Sequence, residues 1–216
     1  MGVAEQVEAT IAEARALPDQ SAEPLRAVRV KLSKALKKAQ VSDIVAAAHQ
    51  LKAAGFDWLG WELIYASKPV LRSLDIERVE ALGEGMASWQ QTDGFGMILA
   101  GPAWLHGMIG DADIRRWAAS DDLWWRRAAL VSTTGLNNKS RGGRGDASRT
   151  LEIVDMLIDD REDMIVKAVS WALRMLAPWQ PEAVSAYLDK HGDRLAPRVR
   201  REVRNKLATG YKNPKS

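Results

Sequence analysis

Residues 121–131 read DDLWWRRAALV, and residues 162–172 read EDMIVKAVSWA, repeating an acidic start, an apolar body, a cation and a small-residue finish at an offset of 41. Arg126 of the first segment falls on Lys167 of the second. The apolar residues recur at helical spacing and do not alternate as in a strand. Helix pairs repeating every ~40 to 47 residues are the signature of HEAT or armadillo arrays, whose stacked pairs leave a concave face for a large ligand.

The rest of the chain agrees. Apolar spacing predicts helices at 4–16, 24–39, 43–54, 57–67, 75–86, 89–100, 111–118, 121–136, 149–159, 163–177, 181–191 and 196–209. Ser42 before DIVAAA reads as an N-cap, Ser88 and Gln91 as a capping box, and Pro181 as a first helical residue. The expectation is an all-α, HEAT-like helical repeat solenoid, one domain over residues 1–216 with a concave basic face. Between two of its helices lies NNKSRGGRGDAS, part of a basic Gly-rich loop at 137–149 that reads as a mobile connection unable to pack.

Composition narrows the chemistry. At 216 residues and 46% hydrophobic the chain can bury a real core. It has no Cys, and His49, His106 and His191 are scattered, so neither a structural metal nor a cofactor is expected. The start lacks an apolar run, and Gln6 spoils a myristoylation motif. The longest uncharged stretch, Gly94 to Gly110, is interrupted by Pro102 and several glycines and is too short to span a bilayer. These features predict a cytoplasmic protein without a membrane partner.

Charge is sorted along the chain. Residues 1–114 hold 11 Lys and Arg against 15 Asp and Glu, whereas residues 115–216 hold 20 against 13. From Arg194 to Lys215 there are eight basic residues and one acid, Glu202, a density that suits a phosphate backbone or an anionic surface.

Nine Trp against two Phe is a lopsided aromatic choice, because each buried indole N–H needs a partner. Trp58, Trp61, Trp104, Trp117 and Trp124 suit core or half-buried positions. Trp171 lies roughly 140 to 160° from the apolar face formed by Ile165, Val169, Ala172 and Leu176. Lys167 and Arg174 flank it at i−4 and i+3, making an aromatic plate between two cations, a surface for a base or sugar with its phosphates. The alternative is an amphipathic Trp packed on the next repeat. In SWQQTDGFG (88–96), Trp89 and Asp93 share one helix face, and Gly94 and Gly96 read as a bare surface across which a ligand could reach the carboxylate.

Arg126 points toward solvent on the wheel, but Arg127 shares an arc with Leu123, Leu130 and Val131. Its charge cannot be shed, so a partly buried Arg127 needs a carboxylate or a phosphate. Asp93 is the favoured partner, with a DNA phosphate as the alternative.

SWQQTD (88–93), LWWRRAAL (123–130) and KAVSWALR (167–174), in that order and at those separations, resemble the DNA alkylation repair family, the AlkD-type DNA glycosylases built from HEAT-like repeats. The closing RREVRNKLATG (200–210) is similar too. The resemblance covers roughly residues 40–210 and is weak over the first 40. It implies that Trp89, Asp93, Arg127 and Trp171 form the active site. The basic residues Arg126, Lys167, Arg174, Arg141, Arg144, Arg200, Arg201 and Arg204 are then the expected contacts of a monomer with duplex DNA, nucleoid-associated when bound. The resemblance also implies hydrolysis of the N-glycosidic bond of cationic N3- or N7-alkylated purines by a solenoid that grips the duplex from the backbone side. Gln90, Met175 and the basic loop at 141–145 depart from the family pattern, none at the four key positions. A DNA-structure-binding protein without catalysis and a HEAT-like protein scaffold are the rival readings.

Overall fold

The computed structural model describes residues 2–19 and 21–214, and every regular element among them is helical. The chain divides into two compact units, Met1–Gly85 and Met86–Ser216.

In the first unit, α1 (Val3–Ala16) packs on α2 (Ala22–Ala35) and α3 (Val41–Ala53) on α4 (Asp57–Tyr65). Contacts of α1 with α3 and of α2 with α4 stack the pairs in two layers, as helical repeats do. Val7, Val28, Leu32, Leu51, Trp61, Ile64 and Leu82 fill the space between them. Trp61 satisfies its buried N–H by donating to the Leu82 carbonyl at 3.1 Å. The chain then breaks, and Pro69 opens the short α5 (Lys68–Arg72), where the sequence gives no helical period long enough to see. α6 (Ile76–Gly83) is capped by Asp75, which accepts from the Arg78 N–H. Ser42 is not the cap of α3. The helix starts at Val41, Gln40 takes the cap position, and Asp43 reaches back to the Gln40 N–H.

The second unit opens with α7 (Trp89–Gly94), which continues through a π-helical turn (Phe95–Ala100) into α8 (Gly101–Leu105). The capping role of Ser88 holds, its Oγ accepting from the Gln91 N–H at 3.3 Å while the Gln91 side chain returns to the Ala87 N–H. The wide turn, closed by Gly101 N–H on the Gly96 carbonyl, carries the helix up to Pro102, which cannot donate to the preceding turn. There follow α9 (Asp111–Ala118), α10 (Leu123–Asn137), α11 (Ala147–Met156), α12 (Asp163–Leu176), α13 (Pro181–His191) and α14 (Pro197–Thr209). Helices α10, α12 and α14 pack side by side in one layer, and α9, α11 and α13 in the other. The echoed segments at 121 and 162 are therefore neighbouring members of one layer.

Helix α10 is the centre of this unit and is buried from Arg127 to Asn137. Ser132, Thr133 and Thr134 survive there because each hydroxyl donates to a carbonyl three or four residues earlier, at 2.6 to 2.7 Å. Glycines bring α10 against the π-helical turn and α8. A Cβ on Gly135 would lie 2.7 Å from Gly101 Cα, and one on Gly96 would lie 2.8 Å from Val131 Cγ1. Gly96 thus serves helix contact, and both Gly94 and Gly96 are buried rather than open to a ligand.

The loop after α10 is packed, contrary to its composition. A Cβ on Gly143 would sit 2.5 Å from the Leu136 carbonyl, and one on Gly145 would meet Trp179 Cβ at 2.5 Å. Asn137 Nδ2 donates to the Thr133 carbonyl and Thr150 Oγ1, its Oδ1 accepts from Asp146 N–H, and its carbonyl accepts from Trp179 Nε1 at 2.7 Å. Composition shows that glycines permit close approach, but not that one buried Asn supplies the anchors.

Candidate functional site

Asp93 stands one turn into α7, placed by the Ser88 cap, and Arg127 stands one turn into α10, whose cap Asp122 accepts from the N–H groups of Trp124 and Trp125. The glycine contacts bring the two helices close enough for the guanidinium to meet the carboxylate at two points, Nε to Oδ1 at 2.8 Å and Nη2 to Oδ2 at 2.9 Å. Arg127 Nη1 donates to the Met164 carbonyl on α12, so one side chain ties α7, α10 and α12 together. The Arg127 side chain is 6% exposed and that of Asp93 16%. Burial raises the Asp93 pKa above the usual carboxylate value, and the two hydrogen bonds and the charge of Arg127 only partly offset it.

This pair lies on the wall of a cleft of about 570 Å³ wholly within the second unit. Trp89, half-exposed at one turn from Asp93, and Trp171 both line it, together with Lys167 and Arg174 on α12. The four residues expected to act together are therefore brought into one cavity, and Trp171 faces it as the wheel predicts. Trp61, Trp104 and Trp117 are core residues and Trp58 and Trp124 are half-buried. Trp125, which the sequence does not single out, carries the aromatic packing on α10, with its ring 5.0 Å from Trp117 and 5.8 Å edge-on to Phe95.

The cations separate by place. Lys167, Arg174 and Arg201 line the cleft, whereas Arg200 and Arg204 on the same final helix do not. Arg126 does not reach out to solvent as the wheel suggests. It holds Asp160 at 3.0 Å and the carbonyls of Ser120 and Asp121, fixing the start of α10. Arg141 and Arg144 sit at the far end of α10, ~15 Å along the axis from Arg127 at 1.5 Å per residue, with Arg144 exposed. Sequence reasoning missed Arg198 and Lys212, which also line the cleft, and Glu202, which is buried among them. The one available signal was Glu202 itself, a lone acid in a basic run.

Among the described residues no group of His, Asp and Glu is placed to hold a metal ion, and no helix is long and apolar enough to cross a membrane. What the site offers is a desolvated carboxylate fixed by a guanidinium, two indole faces and a cationic surround. Such a set stabilises positive charge near Asp93 and grips phosphates around it.

The fold and the cleft define an all-helical repeat protein whose carboxylate and two tryptophans share a cationic cleft. The family model for DNA alkylation repair enzymes matches residues 3–207, and the chain belongs to that family. None of the curated proteins matches it. The match includes the first 40 residues, where the resemblance by eye is weak, so α1 and α2 are part of the family's domain. Membership makes DNA repair the role and DNA the ligand.

Proposed function

We propose that the protein is a DNA glycosylase that hydrolyses the N-glycosidic bond of purines made cationic by alkylation at N3 or N7. The observation that carries this reading is the two-point Asp93–Arg127 contact in the wall of a cleft flanked by Trp89 and Trp171. A cationic base is already a good leaving group, so the reaction needs no general acid. What it needs is stabilisation of the oxocarbenium character growing on deoxyribose and a water held for attack at C1′. Ionised Asp93 supplies both, and a carboxylate ~4 Å from a unit positive charge is worth ~4 kcal/mol at an effective dielectric of 20, about a thousandfold in rate. The indoles of Trp89 and Trp171 present their electron-rich faces to the same developing charge. Arg127 keeps the carboxylate oriented, and Lys167, Arg174 and Arg201 hold the backbone.

The rival DNA-structure binder needs no desolvated carboxylate in its cleft, and the protein scaffold needs no cationic surround to it. The test is release of 7-methylguanine from methylated duplex under single-turnover conditions. Wild-type protein releases the base, and Asp93→Asn lowers the rate by roughly 10² to 10³ per folded molecule with little change in duplex affinity. A wild type that binds DNA and releases nothing assigns the protein to the DNA-structure binders.

A further inference from the structure

The final helix carries one buried acid, Glu202, that the chemistry above does not use. Glu202, on α14, has a side chain only 6% exposed and accepts from Ser170 Oγ on α12 at 2.6 Å. Three cations converge on its carboxylate from three places in the chain. Lys212 Nζ lies 3.3 Å from Oε1, Arg198 Nε 3.9 Å from Oε1, and Arg174 Nε 3.9 Å from Oε2. Arg174 also donates to Ser170 Oγ, and Arg198 to Asp163, which in turn holds Lys167. Lys212 arrives there because the chain reverses after α14. Gly210 takes a left-handed conformation, φ 79°, Lys206 Nζ bonds the Gly210 carbonyl, and Asn205 Nδ2 bonds the Lys212 carbonyl.

One cation would neutralise one carboxylate, and here there are three. All four residues line the cleft, with the carboxylate at its floor, 6% exposed, and Arg198 and Lys212 above it, 41% and 44% exposed. Burial by itself would raise the Glu202 pKa, but the Ser170 hydroxyl, Lys212 and Arg174 together hold it below the usual range, so the anchor is ionised at neutral pH. Each guanidinium has five N–H donors and the ammonium three, so contact with Glu202 leaves donors unspent on every head.

We infer that Glu202 is a positioning residue that gathers Arg174, Arg198 and Lys212 into a clamp for one backbone phosphate of the DNA strand held in the cleft. The inference rests on the proposed DNA-cleft reading and adds to it the turn at residues 210–213, which delivers Lys212. Counting Asp163 and the Lys167 it holds, four cations stand against two carboxylates, which leaves a net excess for a phosphate monoanion. Glu202 costs the cleft one unit of attraction and returns a fixed geometry.

That trade makes the sign of a single substitution decisive. Glu202→Gln keeps the shape of the side chain and removes its charge. If Glu202 only dilutes the positive field, the variant binds an undamaged duplex more tightly. If it positions the clamp, affinity falls, by about fivefold or more, although the protein has become more positive. Binding of a short undamaged duplex is measured by anisotropy across a salt series for wild type, Glu202→Gln, Lys212→Ala and the double variant, with the thermal midpoint of each. Lys212→Ala, at an exposed side chain, is expected to fold normally, weaken binding and flatten the salt slope by about 0.9. In the Glu202→Gln background the same change is expected to do little, because the clamp is already open. Tighter binding by Glu202→Gln, or full additivity of the two changes, overturns the inference. Should Glu202→Gln not fold, an unchanged salt slope in Lys212→Ala and Arg198→Ala overturns it alone. A wild type that binds but excises nothing sinks only the glycosylase reading, while one that does not bind duplex at low salt sinks both.

Discussion

Arg127 meets Asp93 across 34 residues of sequence, with both carboxylate oxygens engaged at 2.8 and 2.9 Å and a third guanidinium donor on the Met164 carbonyl. The contact fixes the carboxylate proposed to act in catalysis by the same bonds that hold α7, α10 and α12 together. Stability and chemistry are therefore coupled at this one residue.

The coupling is testable through Arg127→Met. Removing the guanidinium leaves a buried carboxylate and a carbonyl without their donor, which costs about 3 kcal/mol or more near neutral pH. The loss should shrink as pH falls, because a protonated Asp93 needs no cation. Urea unfolding of wild type and variant at neutral and acid pH measures this. A gap that stays constant with pH would mean that Asp93 is not the group left uncompensated.

The pH dependence of wild-type activity follows from the raised Asp93 pKa. The proposed mechanism uses the ionised form, so excision should fall as pH drops through a value above the ordinary 3.8. For stability the sign is the reverse. The folded protein binds this proton more tightly than the unfolded chain, so the contribution is greatest below the unfolded value and is lost as pH rises through the folded one. Single-turnover rates corrected for spontaneous depurination report the acid limb, and a limb at or below 3.8 would show a carboxylate that ionises as freely as in water.

Trp171 and Trp125 should separate function from folding. Trp171 is half-buried on the cleft, so Trp171→Ala should cost well under the ~3 to 5 kcal/mol of a core aromatic and slow excision at least tenfold. Trp125 packs against Phe95 and Trp117, so Trp125→Ala should lower the thermal midpoint sharply and leave the rate per folded molecule nearly unchanged. Thermal unfolding paired with single-turnover excision decides it, and the reverse pattern would exchange the two roles.

Salt dependence tests which cations touch phosphate. Arg201→Ala should flatten the log–log slope of duplex binding by about 0.9, and Arg200→Ala, outside the cleft, should leave it unchanged. Replacing Arg141 and Arg144 together should flatten it by up to about 1.8 if the packed loop at the far end of α10 reaches the same duplex. An unchanged slope in the double variant would confine the grip to the cleft.

Helix positions were legible in the sequence because the 3.6-residue period is a local property, and α9 and α13 begin and end where the pattern puts them. The short α5 was not, since five residues display no period. Arg127 could be read as needing a partner from its apolar neighbours on one helix, which is a statement about solvation and needs no tertiary knowledge. Trp171 could be placed on the polar face for the same reason.

What only the tertiary structure decided is which distant groups meet. Arg126 and Arg127 are adjacent in sequence, yet one closes on Asp160 and the other on Asp93, because successive residues on a helix point about 100° apart and face different neighbours. The loop at 137–149 looked unpackable by composition and is pinned by Asn137 and Trp179, a pairing across 42 residues. Glu202 looked like an interruption in a basic run, and its burial beneath Arg174, Arg198 and Lys212 depends on how α12 crosses α14 and where Gly210 turns the chain. The sequence by itself determined the helices and the charges that had to be compensated. The crossing of the helices, set by glycine contacts and side-chain packing over the whole unit, decided which charge compensates which and which cations are left facing the cleft.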